Sequence, residues 1–332
     1  MAAYDVTQEG NWDGKNILRR ITAPGTAVAE AALDQARLKL FTARAARPRP
    51  GRDDKVLADW NGLTITALVR AASVFDQPAW LERAAQAFDF ILAQMGAHDG
   101  RIQHAWRLGR ITASGLLDDQ AAMARAALAL YMATGAAERL AQAVHIAEAA
   151  LKNFGGPDGV CTTTAADATD FPIGPEVRPR SAADNVTPSG NAMLAEVFAV
   201  LFHLTGEPLW CTRTEAILRG FTGEARALSG MPSLLCAADL LAEATTVVVT
   251  GPTEAPNVQH MIRAVLRAPD PTFLLLHAPD PAAISHLHPA HGKTGGPAAY
   301  ICRAGTCSLP IRDVSALRVE LVRKVTRTET GC

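Results

Sequence analysis

Leu57-Ala-Asp-Trp-Asn-Gly-Leu-Thr-Ile-Thr-Ala-Leu-Val-Arg-Ala-Ala-Ser-Val74, the link Phe75-Asp-Gln-Pro78, and Ala79-Trp-Leu-Glu-Arg-Ala-Ala-Gln-Ala-Phe-Asp-Phe-Ile-Leu-Ala-Gln-Met95 together decide the fold. The first segment is apolar on almost every side, which is the pattern of a buried helix. The second carries one apolar stripe and one charged face, the pattern of a helix covering a surface. A link this short makes the two antiparallel neighbours.

The same two kinds of helix alternate along the chain to about residue 244. Ala27 to Arg44, Ala79 to Met95, Ala137 to Phe154 and Pro208 to Ala227 are charged on one face. Leu57 to Val74, Leu116 to Thr134, Ser189 to Leu204 and Met231 to Ala244 are apolar nearly all round. Inner and outer helices therefore alternate in pairs. Every inner-to-outer link is short, whereas the outer-to-inner links Ala45 to Val56, Gly96 to Gly115 and Gly155 to Pro188 are long. The long loops gather where inner helices start, and loops on a rigid scaffold are where function usually sits. Inside the second of them, Arg101-Ile-Gln-His-Ala-Trp106 and Ile111-Thr-Ala113 flank Leu108-Gly109-Arg110, the pattern of a small β-hairpin forming a lid or wall.

After residue 244 the pattern changes. Thr245 to Thr250, Thr272 to His277 and Ala298 to Cys302 read as strands, with helices at Asn257 to Arg267 and Val314 to Val322. The expected architecture is mainly α: four pairs of alternating inner and outer helices over 1–244, with a small α/β subdomain over 245–332.

Composition narrows the function. With 332 residues, 48% of them hydrophobic, the chain can bury a large core. Thirty-two basic against thirty-three acidic residues leave a net charge of -1, so no overall field favours nucleic acid or an anionic membrane. The N-terminus lacks a signal-peptide pattern, and the most apolar helix, around Met193 to Leu204, is too short to span a bilayer and carries Glu196. A cytoplasmic protein is expected. Six cysteines are scattered without a Cys-x-x-Cys pair, so reduced thiols are the expectation, including Cys302 and Cys307, which a turn at Gly305 brings near each other. No metal site and no cofactor are read. His286, His288 and His291 lie in a Pro- and Gly-rich loop without a carboxylate framework.

Three inner helices begin with similar chemistry: Asp53-Asp54-Lys55 before the first, Asp118-Asp119 at the second, and Thr187-Pro-Ser-Gly-Asn191 at the third. Such residues cap helices, and carboxylates suit the N-terminal end of the helix dipole. Their convergence on one mouth also permits chemistry, because paired carboxylates in a partly enclosed pocket can split their pKa values and act as acid and base. Asp54 and Asp119 are the candidates for that catalytic work. Around them, Asp53, Lys55 and Asp118 supply charge, and Trp60 and Asn61 offer an aromatic face and an amide to a sugar-like ring, unless Trp60 fills the core. His104 and Trp106 alternate with Gln103 and Ala105, which puts both on one face of the hairpin. The third long loop adds Glu176, Arg178, Arg180, Asp184 and Asn185. Of these, Arg178 and Asn185, together with Ser189 and Asn191, complete the substrate-binding candidates.

Glu9-Gly-Asn-Trp-Asp-Gly-Lys-Asn-Ile-Leu18, Asp53-Asp-Lys-Val-Leu-Ala-Asp-Trp-Asn-Gly-Leu63, Gly115-Leu-Leu-Asp-Asp119, Thr187-Pro-Ser-Gly-Asn191 and Ala299-Tyr-Ile-Cys302 with Cys307 resemble, in order and spacing, the thioredoxin-domain proteins related to spermatogenesis-associated protein 20. The resemblance runs along nearly the whole chain. It implies an (α/α)6 toroid like those of six-hairpin glycosidases and N-acylglucosamine 2-epimerases, of which the four pairs over 1–244 make an incomplete one. It also implies an N-terminal thioredoxin-like domain and further toroid helices that this sequence does not contain, so the chain reads as a fragment, from a split gene or a truncated product. Two functions follow as expectations. One is a carbohydrate-active site, hydrolase- or epimerase-like, taking a sugar-like small molecule at the mouth. The other is a non-catalytic module that binds a ligand, or an N-terminal half carrying the thioredoxin-like domain. An open ring also exposes apolar sides on the first and last inner helices, so self-association of the isolated chain is expected.

Overall fold

The computed structural model describes residues 2–169, 178–221, 223, 225–280, 282, 284–293 and 296–327. The chain divides into two compact units, Met1–Asp54 and Lys55–Cys332. In the first, a turn closed by Trp12 and Lys15 leads to α1 (Ala27–Ala45), whose N-cap Thr26 accepts the Ala29 amide. Arg20 grips the Glu30 carboxylate with two bonds of 2.5 and 2.6 Å, and with the Gly25 amide holds it down to about 2. None of the α1 side chains is buried.

The second unit is built from antiparallel hairpins. They are α2 (Ala58–Phe75) with α3 (Pro78–Met95), α4 (Leu117–Thr134) with α5 (Ala137–Phe154), and α6 (Gly190–Thr205) with α7 (Pro208–Phe221), followed by α8 (Pro232–Glu243). The row α2, α4, α6, α8 forms the inner layer, each helix packed on the next, and α3, α5 and α7 lie outside it. Side-chain patterning explains the division. In α3 only Ala84, Phe88, Ile91 and Met95 are buried, a single stripe, whereas α4 and α6 bury residues on almost every side. Three of the inner helices, α2, α4 and α6, close on a left-handed residue, Asp76, Gly135 and Gly206 (φ 57°, 69° and 74°), and that cap turns the chain at once into the outer helix. Close inner packing also depends on Gly62, where a Cβ would lie 2.7 Å from the Ala122 carbonyl carbon.

Two expectations about the helices change. The first inner helix was read as buried all round, yet α2 buries only Ala58, Gly62, Ile65, Val69 and Ala72, and leaves Trp60, Val74 and Phe75 exposed. As the end member of the row it has one inner neighbour within its unit. The fourth outer helix stops at Phe221 rather than Ala227, where Gly220 and Gly223 weaken helical propensity.

The tail contains β4 (Thr245–Thr250), α9 (Pro256–Leu266), β5 (Phe273–Ala278), β6 (Ala298–Arg303), β7 (Thr306–Cys307) and α10 (Val314–Arg327). Its sheet has the order β5-β4-β6-β7, with β4 and β5 parallel and β6 antiparallel to β4. Alternation along the strands sends Val248, Leu274, Leu276 and Tyr300 into the helical core, and Val247, Val249, Leu275 and Ala299 towards α9 and α10. One face of the sheet thus shares the core of the inner helices, and the boundary between the two compact units falls at Asp54.

Cys302 and Cys307 form a disulfide, against the expectation of reduced thiols. Ala304 and Gly305 both take positive φ (45° and 75°), making a tight hairpin turn that puts the two cysteines opposite each other with Cα atoms 4.0 Å apart. The tail histidines act as local staples. His288, 3% exposed, accepts the Ala290 amide, and His291 donates to the Ile284 carbonyl. Among the described residues no helix is long and apolar enough to cross a membrane.

Candidate functional site

The hairpin forms as expected and gains a strand. β1 (Val56–Leu57), β2 (Ala105–Arg107) and β3 (Arg110–Ala113) make a small antiparallel sheet at the start of α2. The backbone leading into β2 is pinned from two sides. The Ala58 amide donates to the His104 carbonyl at 3.0 Å, and buried Gln120 both accepts from and donates to the Ile102 backbone, at 2.8 and 2.7 Å. Together these contacts deliver the His104 side chain to the first turn of α4.

There it meets Asp119, which is 0% exposed. The imidazole Nδ1 lies 3.0 Å from Oδ1 and 3.2 Å from Oδ2 of that carboxylate. Asp119 also accepts the Asp59 amide at 3.0 Å and the Leu116 amide at 2.8 Å, so it ties the starts of α2 and α4 together while orienting the histidine. A carboxylate that accepts at Nδ1 fixes the tautomer and turns Nε2 outward. The hydrogen bond to Asp119 raises the His104 pKa, against desolvation and with further support from Asp59 and Asp118.

Asp59, half-buried in the first turn of α2, completes the group: one ligand atom from each of Asp59, His104 and Asp119 lies within 4.8 Å of the others. Burial raises the Asp59 pKa, and the negative charge of Asp119 raises it further. Asp118 is raised as well, mainly by burial, while the Gly190 amide at the start of α6 supports its charge. A cation held by this cluster would have to displace donors, since both Asp119 oxygens already accept N–H groups.

The other candidates separate into several kinds. Trp60 follows Asp59 and is 57% exposed, so it is not core filling. Asn61 donates to the Leu57 carbonyl just before its own helix, Ser189 caps α6 by accepting the Ala192 amide, and buried Asn191 clamps Cys161 and Ser181 through backbone bonds; these three serve the local architecture. Trp106 packs edge-on against Phe90 at 5.3 Å. Arg178 donates to the Ala166 carbonyl, Asn185 is exposed with its amide on Thr187, and Glu176 lies outside the described residues. Exposed Asp53 and half-buried Asp54 close the first unit, and exposed Lys55 opens the second.

Two residues escaped the sequence reading. Asp59 was passed over although it stands in the first turn of an inner helix, as Asp118 and Asp119 do. Asp184 was seen as a loop charge. In the structure it accepts the Ser189 amide at 2.9 Å and the Ser233 amide at 2.7 Å, joining the starts of α6 and α8.

No protein-family model matches the chain. It is 28% identical over 306 residues to spermatogenesis-associated protein 20 of Rattus norvegicus, covering 84% of this chain and 37% of that protein. The Homo sapiens protein of the same name is 26% identical over 302 residues, with 84% and 38% covered. The chain thus spans well under half the length of these relatives. Among solved structures, a GH76 α-mannanase of Bacteroides thetaiotaomicron superposes with a TM-score of 0.41 at 15% identity, covering 58% of this chain and 55% of that one. Cellobiose 2-epimerase of Bacillus thermoamylovorans gives 0.43 at 13% identity, with the same shares covered.

Proposed function

We propose that the mouth at the starts of α2 and α4 is a proton-transfer site for a sugar-like small molecule, epimerase-like rather than hydrolase-like. The observation that carries this reading is the His104–Asp119 pair with Asp59 beside it. Two carboxylates that cleave a glycosidic bond stand roughly 5–5.5 Å apart in retaining enzymes and roughly 6.5–9.5 Å in inverting ones. Asp119 is fully buried with both oxygens accepting protein N–H groups, so it has no route to a sugar carbon and cannot serve as one of such a pair. Asp119 is accordingly a positioning residue.

The remaining pair divides the work by pKa. A carboxylate raised above its ordinary value is a better base, and an imidazole raised above its own remains an acid near neutrality. Asp59 takes the proton from the carbon next to a carbonyl, and His104 gives its Nε2 proton to the carbonyl oxygen, which yields an enediol. Once the enediol has turned its other face to Asp59, the carboxyl group returns the proton to that carbon while the enediol O–H gives its proton back to His104 Nε2, which restores the carbonyl and completes an epimerisation. The exposed indole of Trp60 offers a stacking surface for the ring.

The experiment is proton–deuterium exchange at C2 of reducing sugars and N-acyl sugars in D2O, followed by NMR. Asp59→Asn and His104→Gln should each slow exchange by roughly 10²–10⁴-fold, the usual worth of a general acid or base. The rate should rise as Asp59 loses its proton and fall as His104 loses its own, with both limbs displaced upward from ordinary aspartate and histidine values. Absence of both exchange and ligand-induced thermal shift across the sugar panel would remove the proposal.

A further inference from the structure

A second place in the molecule has the make-up of a ligand site, and it lies at the other ends of the inner helices. Where α2 and α4 finish, α9 leans over a cavity of about 450 Å³ whose body is lined by Ala72, Leu81, Met132, Ile262 and Leu266. Small-molecule sites are of this size and mostly apolar, with a few placed polar groups. Here the placed group is His277, which lines the cavity near the C-terminal end of β5. In sheets with parallel strands, ligands gather at those ends.

His277 is 5% exposed, and its Nε2 is buried without a hydrogen-bond partner. Burial lowers its pKa, while the ring is supported by the backbone of Gly251. Nε2, left without a partner, is the ring nitrogen that a donor on a ligand can meet. A buried polar atom without a partner is costly and calls for an explanation. The ring is also held rigidly. It sits against the cap of α4, where a Cβ on Gly135 would lie 2.5 Å from Nδ1.

We propose that this cavity binds a small molecule with an apolar body and a hydroxyl or N–H group that donates to His277 Nε2. The inference is independent of the proton-transfer site, which uses the opposite ends of the same helices.

The test uses the full chain labelled with 15N and two probes of the same shape, 4-ethylphenol, which carries a donor, and 4-ethylanisole, which does not. Long-range 1H–15N spectra report the imidazole nitrogens, with His277 assigned from His277→Asn. The expected result is a 4-ethylphenol-dependent shift of His277 Nε2, binding at least tenfold tighter than for 4-ethylanisole, and loss of both effects in Ile262→Trp, which fills the cavity from α9. Equal binding of the two probes, an unmoved Nε2 signal, or a shift that survives Ile262→Trp would overturn the proposal.

Discussion

Replacing Asp119 by asparagine tests the site where its geometry is tightest. The carboxylate, 0% exposed, accepts from the Asp59 amide, the Leu116 amide and His104 Nδ1. Asparagine keeps one oxygen and turns an NH2 group towards donors, so at least one buried N–H is left unsatisfied, at about 1–3 kcal/mol. The charge-assisted bond from His104 is lost too, about 1.5–3 kcal/mol. The sum is comparable to the roughly 3–5 kcal/mol for breaking one partner of a buried ion pair. The penalty depends on pH. The folded-state pKa of His104 is raised, so its contribution is fully present below the ordinary histidine value near 6.5 and disappears as pH rises through the folded value. Urea unfolding of wild type and Asp119→Asn across pH 5.5–9 should show the largest gap at the acid end. The gap should narrow at alkaline pH to about 1–3 kcal/mol, the cost of the orphaned amide. NMR titration should place His104 lower in the variant than in wild type. A gap independent of pH, or a His104 titration unchanged by the substitution, would refute the pairing.

Burial holds His288 at about 4, a lowered value, so its contribution is present above about pH 6.5 and is lost as pH falls towards the folded value. That amounts to roughly 3 kcal/mol, and His288→Asn, which keeps an acceptor for Ala290, should flatten the acid limb of an unfolding titration; an unaltered limb would mean that other groups carry it. Gly62→Val drives a side chain into the Ala122 backbone and should cost about 1–3 kcal/mol or more by thermal melting, whereas Gly51→Val, with open space around it, should cost little. Self-association is expected through the side of α2 that exposes Val74 and Phe75. Sedimentation at low micromolar concentration should reveal species larger than the monomer, reduced by Val74→Ser with Phe75→Ser; a monomer throughout would end that expectation.

The helical frame was legible because two periodic signals agreed. The single stripe of α3 and α5 marked outer helices, and Gly135 and Gly206 marked the turns between layers. Contacts between distant residues were less legible. His104 and Asp119 were both candidates on local grounds, yet nothing in the sequence joined them, since the hairpin and the Gln120 clamp that bring them together exist only in three dimensions. Asp59 was hidden by its neighbours, because Asp53-Asp54-Lys55 just before the helix drew the role of helix-start carboxylate, whereas the two-residue strand β1 separates them from the first turn, which begins at Ala58. The disulfide depended on a turn with Ala304 at positive φ, a conformation that alanine rarely adopts and that composition does not signal.

The carboxylates shared between helix starts bear on how the molecule opens. Asp119 closes amides of α2 and of the turn before α4, and Asp184 does the same for α6 and α8. No inner helix can fray at its beginning without releasing a donor on its neighbour. The local openings that native-state hydrogen exchange detects should therefore spread along the rim in pairs, with Asp59 and Leu116 exchanging as one group and Ser189 and Ser233 as another. The mouth is a set of coupled hinges that stay shut together.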